Sequence, residues 1–316
     1  MSHKIVFLDR DSLIANVRRP VFGHEWTEYA ASTEAEAVER LRGATIAITN
    51  KVPLRADALA RLPELKLIAV AATGTDIIDL DAAKQHGIVV SNIRNYAYAA
   101  LPEHTFALIL ALRRNLLAYR ADIEAGLWQK SPRFCLFHHP IRDLHGSRLG
   151  LLGYGALGKG VAQLAQAFGM EIVVHTRTPA HDPLVRNVSF DELLETSDVL
   201  SLHAPLNDKT RNIIGAAELK RMKPSAILIN TARGGLVDEA ALADALIANT
   251  IAGAGFDVLT QEPPPEDHVL LNLRLPNFLL TPHSAWASTQ AMQTLADQLI
   301  DNVEAFGRGQ PNNVVG

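Results

Sequence analysis

Short apolar segments recur along this chain with stretches of helical spacing between them, and they lack the in–out alternation of a sheet wetted on one side. Strands are expected over 4–8, 45–49, 67–71 and 88–90, then over 149–152, 171–175, 199–203, 226–230, 253–256 and 278–281. Helical spacing fills 34–41, 55–62 and 80–86 in the first series, and 157–168, 191–195, 216–222 and 239–247 in the second. Strands apolar on both faces and separated by helices belong in a parallel sheet covered on each side. Two such series predict an α/β chain with two doubly wound parallel-sheet domains. Asp79 is placed to cap the 80–86 helix and Gly87 to stop it.

The last helical pattern, 287–306, is long enough to return to the first lobe. Residues 1–98 and 287–316 are therefore expected to form one domain, with 99–286 inserted into it. Pro102 and Glu103 open a run, 106–112, that is apolar nearly all round. Such a helix is normally buried, and it is expected between the lobes or across a subunit contact. Residues 126–144, rich in aromatics, histidines and prolines, read as an extended arm that would suit dimerisation.

Composition removes several classes of function. Lys and Arg number 30 against 34 Asp and Glu, a formal charge of −4, with no basic stripe, so a nucleic-acid role is not expected. No apolar run approaches the roughly 18 residues of a membrane span. The opening segment has too short an apolar run for a secretory signal. A single cysteine, Cys135, excludes an intrachain disulfide framework and a thiolate-rich metal site. A cytoplasmic setting without membrane partners, and no metal, is the expectation.

The expected strand over 149–152 leads straight into Gly153-Tyr154-Gly155-Ala156-Leu157-Gly158 and then a helix. In that setting the glycines suit a tight turn, close approach of a dinucleotide diphosphate, and close helix–strand packing. The helix start adds amide donors and positive dipole character. After the next strand, Thr176 and Arg177 stand where a carboxylate would otherwise bind the adenosine ribose. A threonine does not repel a 2′-phosphate and an arginine can pair with it, which favours NADP(H). An exposed arginine beside a tolerant pocket that uses NAD(H) is the alternative.

Three later strand ends carry chemistry. The 226–230 strand runs into Thr231-Ala232-Arg233-Gly234-Gly235, where Arg233 suits a bidentate grip on a carboxylate and the glycines leave room for an organic acid. Glu262 follows the 253–256 strand and precedes three prolines that stiffen its surroundings. His283 follows Thr281-Pro282 at the end of the last strand. A glutamate bound to one imidazole nitrogen would fix the tautomer and leave the other nitrogen to move a proton. A surface histidine is the plainer alternative, outweighed by the matching contexts of Arg233 and Glu262.

Together these stretches resemble the D-isomer-specific 2-hydroxyacid dehydrogenase family, most of all its glycerate dehydrogenase (hydroxypyruvate reductase) branch. The likeness rests on the glycine turn, Ile229-Asn230-Thr231-Ala232-Arg233-Gly234, Gly255-Phe256-Asp257-Val258, Glu262-Pro263 and Thr281-Pro282-His283-Ser284-Ala285. It extends to 66–79 and 102–114, and so covers essentially the whole chain. The resemblance implies a Rossmann-type cofactor domain inserted in a flavodoxin-like substrate domain, a deep cleft and a homodimer. It implies that Arg233 anchors substrate, His283 does acid–base work and Glu262 tunes it, with Asp257 near the nicotinamide. Thr105, Thr231 and Ser284 are further cofactor candidates. Ala72-Thr73-Gly74 corresponds to the family's carboxylate-binding loop, and Asn50 and Lys51 are candidates for the opposite wall. For Asn50, Lys51 and Thr105, ordinary turn or helix-start roles stand equally open.

The implied reaction is hydride transfer between NAD(P)(H) and a small 2-oxo or 2-hydroxy acid, hydroxypyruvate and D-glycerate first, glyoxylate and glycolate next. Competing readings are an NAD(P)-binding sensor or corepressor with little turnover, and a phosphite- or formate-type oxidoreductase. A metal hydrolase is disfavoured, because Glu262 and His283 have no compact His/Cys cluster around them.

Overall fold

Segments that are apolar on both faces form the central strands of two sheets in the computed structural model, which describes residues 2–316. The chain divides into two units, Met1–Tyr96 with Ala287–Gly316, and Ala97–Trp286.

The first unit begins with β1 (His3–Phe7), β2 (His24–Glu28), α1 (Glu34–Arg40), β3 (Ile46–Thr49), α2 (Ala56–Leu59), β4 (Leu67–Val70), α3 (Leu80–Gln85) and β5 (Val89–Ser91). Its five strands are all parallel in the order β2-β1-β3-β4-β5, which is flavodoxin-like. Every residue of β3 and β4 is buried. Each buried Ile, Leu or Val there contributes about 1.5–3 kcal/mol. That outweighs surface pairs such as Arg42–Glu39, worth about 0–1 kcal/mol each. Thr33 and Glu36 form a reciprocal capping box at α1. The Asp79 carboxylate accepts from the Ala82 amide at 2.9 Å, and Gly87 ends the α3 segment with φ +68°.

The second unit runs α4 (Ala100–Arg113), α5 (Leu116–Glu124), β6 (Arg148–Leu152), α6 (Ala156–Ala167), β7 (Glu171–His175), β8 (Arg186–Asn187), α7 (Phe190–Thr196), β9 (Val199–Leu202), α8 (Ala216–Arg221), β10 (Ile227–Asn230), α9 (Glu239–Ile247), β11 (Gly253–Phe256) and β12 (Phe278–Leu280). All seven strands are parallel, in the order β12-β11-β10-β9-β6-β7-β8. Chain order reverses between β6 and β9, the switch point beside which Rossmann-type sheets bind dinucleotides.

The apolar helix α4 packs on β10, β11 and α6 of its own unit. Glycines make this fit: a Cβ on Gly255 would come within 3.0 Å of Leu108, one on Gly253 within 3.4 Å of Leu112, and one on Gly160 within 2.7 Å of Pro102. A sheet surface without those side chains lets the helix sit close, and α4 buries Leu108, Ile109 and Leu112 against it. Beyond α5, the 126–144 arm has no strand or α-helix. Side chains fasten it: Trp128 Nε1 donates to Phe134 O at 2.9 Å, and the Tyr119 hydroxyl to His139 O at 2.8 Å.

The chain returns to the first unit as α10 (Thr289–Gly307), capped by Ser288, whose hydroxyl oxygen accepts from the Ala291 amide at 3.1 Å. It packs against β4. Among the described residues no helix is long and apolar enough to cross a membrane.

Candidate active site

The glycine turn separates its three glycines by role. Gly153 has φ +95°, and a Cβ there would lie 2.5 Å from the His203 carbonyl oxygen. A Cβ on Gly158 would lie 2.8 Å from the Gly153 carbonyl oxygen. Those two positions are closed by protein. Around Gly155 a Cβ would meet nothing within 4 Å, and Gly155 and Ala156 are exposed at the start of α6. That is the open face on which a diphosphate can approach unpaired amides.

Tyr154 turns its hydroxyl to Asp182 Oδ2 at 2.9 Å; burial and that acidic neighbour push the phenol well above its ordinary range. Leu157 is half-buried on α6. At the end of β7, the Thr176 hydroxyl donates to Thr178 O at 2.5 Å, and Arg177 is exposed. At the end of β9, on the other side of β6, stands His203, which sequence reasoning passed over. Its Nε2 lies 2.9 Å from the Ser201 hydroxyl, and burial holds the imidazole down at about 4. A neutral histidine beside the glycine turn adds no charge to it.

Arg233, Glu262 and His283 follow β10, β11 and β12, three adjacent strands at one C-terminal sheet edge. Buried Asn230 shapes the arginine turn: its Nδ2 donates to Arg233 O at 2.8 Å and its Oδ1 accepts from the Ala232 amide at 3.1 Å. The guanidinium donates through Nη1 to Ala232 O at 2.7 Å. The glycines after Arg233 do not leave space for an acid, contrary to the sequence-based expectation. A Cβ on Gly234 would lie 2.0 Å from the Leu259 carbonyl carbon, and one on Gly235 3.1 Å from Leu206. Gly234 packs the arginine turn closely on the backbone at 259–260, and Gly235 packs it on the Leu206 side chain.

That same backbone anchors Glu262, whose Oε1 accepts from the Leu259 amide at 2.9 Å. Its Oε2 lies 2.6 Å from His283 Nδ1. A carboxylate only accepts, so Nδ1 carries the hydrogen and Nε2 is left as the proton-transfer atom. His283 has φ +52°, a left-handed conformation that costs a non-glycine residue about 1–3 kcal/mol. Asp257 holds it there. This carboxylate, 1% exposed, accepts from the Thr281 hydroxyl at 2.5 Å, the Ser284 amide at 2.9 Å and the Ala285 amide at 2.8 Å. The Asp257 carbonyl accepts from the His283 amide at 2.8 Å. Asp257 and Ser284 are therefore bound into the histidine loop. Behind them, buried Thr105 and Thr231 share a hydroxyl contact of 3.1 Å, and half-buried His104 reaches Thr281 Oγ1 at 2.9 Å. His104 lies within the 102–114 stretch and Asn230 within the motif that carries Arg233, but neither is singled out there, and no periodic signal marks either one.

The first-unit candidates form two loops. Asp9, 5% exposed, accepts from the Asn50 amide at 3.0 Å and the Lys51 amide at 2.7 Å; burial raises its carboxyl while these bonds oppose the rise. Asn50 is itself 5% exposed and its Nδ2 donates to Ser12 O at 3.3 Å, whereas Lys51 is exposed. In the other loop, Thr73 Oγ1 donates to Ile93 O at 2.8 Å and Asn92 Nδ2 donates to Thr73 O at 2.8 Å. The amides of Ala72, Thr73 and Gly74 donate to no protein acceptor among the described residues. No group of three or more His, Cys, Asp or Glu among the described residues is arranged to hold a metal ion.

Residues 106–285 match the model of the D-isomer specific 2-hydroxyacid dehydrogenase, NAD binding domain. The chain belongs to the D-isomer-specific 2-hydroxyacid dehydrogenase family. It is 57% identical to a glycerate dehydrogenase of Methylorubrum extorquens, across 100% of this chain and 99% of that protein. A glyoxylate reductase of Thermococcus litoralis is 37% identical over 92% of this chain and 89% of its own length. A solved acyclic imino acid reductase in complex with NADPH and D-Arg superposes with a TM-score of 0.86 at 33% identity, covering 99% of this chain and 100% of that one. As a member of this family the protein is an oxidoreductase acting on 2-hydroxy acids with a nicotinamide cofactor. None of these relatives supports the sensor reading.

Proposed function

We propose that this dehydrogenase interconverts hydroxypyruvate and D-glycerate, and glyoxylate and glycolate, with His283 as the acid–base. The observation that carries the proton chemistry is the 2.6 Å contact between Glu262 and His283 Nδ1, which leaves Nε2 for a substrate oxygen. A nicotinamide cofactor, with its diphosphate held at the glycine turn, would supply the hydride that C2 of the 2-oxo acid accepts in reduction. His283 delivers a proton to the developing alkoxide and becomes neutral, while Arg233 stabilises the oxygen's charge and the carboxylate. Oxidation runs the same transfers backwards and needs His283 neutral at the start. Glu262 stabilises the imidazolium and holds the ring against rotation. Asp257, Ser284, Thr105 and Thr231 support the ring and cofactor side of this edge. In the first unit, the amides of Ala72, Thr73 and Gly74 are the proposed anion donors and Lys51 the proposed polar contact, with Asn50 bracing its loop.

The full-length likeness to a glycerate dehydrogenase supports hydroxypyruvate as first choice, and the glyoxylate reductase supports the smaller acid. Arg177, with no carboxylate in the Thr176 position, supports NADP(H) over NAD(H), and the neighbour solved in complex with NADPH is in keeping with that reading. We further propose a cytoplasmic homodimer. Leu116, Trp128, Phe134 and Phe137 are exposed along α5 and the arm, an apolar surface that a second copy would cover.

An absorbance assay pairing NADPH or NADH with hydroxypyruvate, glyoxylate, pyruvate and larger 2-oxo acids tests this directly. Fastest turnover with hydroxypyruvate and NADPH is expected. Turnover confined to bulky branched or aromatic oxo acids would contradict the substrate assignment.

A further inference from the structure

We propose that His104 is a positioning residue for His283, setting the direction of a hydrogen-bond chain that runs through Thr281 into Asp257. The proposal rests on the reading of His283 as the proton donor and goes beyond it.

Thr281 Oγ1 lies 2.5 Å from Asp257 Oδ1, and a carboxylate accepts only, so the single hydroxyl proton of Thr281 is donated there. The oxygen can then only accept from its other neighbour. His104 Nε2, at 2.9 Å, must carry the hydrogen. Asp257 Oδ1 lies 3.7 Å from that same nitrogen and favours its protonated tautomer. The chain therefore runs from His104 Nε2–H to the Thr281 hydroxyl and on to the Asp257 carboxylate.

Thr281 has a second acceptor within reach, the Phe256 carbonyl oxygen at 3.3 Å. A donor at His104 occupies the side of the hydroxyl oxygen that would otherwise be free and keeps its proton on Asp257. Without that donor the hydroxyl can turn to Phe256 and leave Oδ1 a bond short. Asp257 is the group that binds the amides of Ser284 and Ala285 and, through its carbonyl, the amide of His283. Those anchors sustain the left-handed backbone of His283 at φ +52°. A side chain on α4 thus acts on the imidazole through Thr281 and Asp257.

Two variants separate this role from general structural support. In His104→Leu the donor is gone; in His104→Gln an amide donor is restored. For H104L we expect kcat for hydroxypyruvate reduction to fall about tenfold, as for a lost hydrogen bond. KM and cofactor affinity should stay within about twofold, the scale of ordinary surface changes. H104Q should recover most of the loss. The downfield proton resonance of His283 Nδ1–H on Glu262, assigned with Glu262→Gln, gives a readout that needs no turnover. It should shift or broaden in H104L and return in H104Q. An H104Q enzyme as impaired as H104L, or an H104L enzyme with kcat and resonance unchanged, overturns the proposal. Absence of turnover in the unsubstituted protein counts instead against the assigned reaction, and the resonance still decides the role of His104.

Discussion

Removing the imidazole at position 283 should cost turnover while sparing the glycine turn. General acid–base groups supply about 10²–10⁴ in rate, so His283→Asn should lower kcat by that order. Glu262→Gln keeps the shape and loses the charge on a 2.6 Å contact, and about 10–100-fold is expected in kcat. At the end of β6, Gly153 and Gly155 make opposite predictions. Gly153→Ala forces a Cβ to within 2.5 Å of a backbone oxygen at φ +95° and should destabilise the fold by more than about 1 kcal/mol. Gly155→Val projects into open space. It should leave Tm nearly unchanged yet weaken cofactor binding at least about tenfold, because the backbone can no longer approach a diphosphate. Thermal unfolding and fluorescence titration of both variants check the pair. Arg177→Ala should lower kcat/KM for NADPH more than for NADH; an unchanged ratio removes the phosphate-clamp assignment.

The end of β9 brings a pH-dependent element into play. His203 is held at about 4, below the usual histidine value of 6.5. The unfolded chain therefore binds its proton first, and the stability lost by keeping His203 neutral grows as pH falls from about 6.5 to about 4. Allowing for partial solvent access, the loss is on the order of 2 kcal/mol. His203→Gln should flatten this part of the Tm–pH curve, and an unchanged slope would contradict the assignment. At this scale the sequence was most legible where burial is two-sided: β3, β4, β9 and β10 are buried throughout, mostly apolar, and were expected in place. β2 and β8 were not, since His-Glu-Trp-Thr-Glu and Arg-Asn lie at sheet edges, where exposure removes the need for an apolar run. The helix α4 was recognisable as buried, but its partner was not. What decides that is the flat surface made by Gly253 and Gly255, a tertiary property. Arg233, Glu262 and His283 were visible as motifs at strand ends, whereas His104 and Asn230 act through local hydrogen bonds that no spacing announces.

For the whole molecule, the proton balance fixes how the two directions respond to pH. Reduction starts from protonated His283 and should slow as pH rises; oxidation starts from the neutral ring and should quicken. Opposed profiles measured with hydroxypyruvate and D-glycerate would bear this out, and parallel ones would not. The proposed dimer has its own check: Phe137→Glu, placed on a residue 74% exposed in the single chain, should shift the sedimenting species towards monomer. The central claim is that His283, oriented by Glu262, gives the proton that accompanies hydride transfer. The most direct test is the single-turnover rate of hydroxypyruvate reduction by His283→Asn, beside its cofactor dissociation constant. The account predicts a rate lowered by about 10²–10⁴ with cofactor affinity within about twofold. A rate near that of the parent enzyme, or an equal loss in cofactor binding, would contradict it.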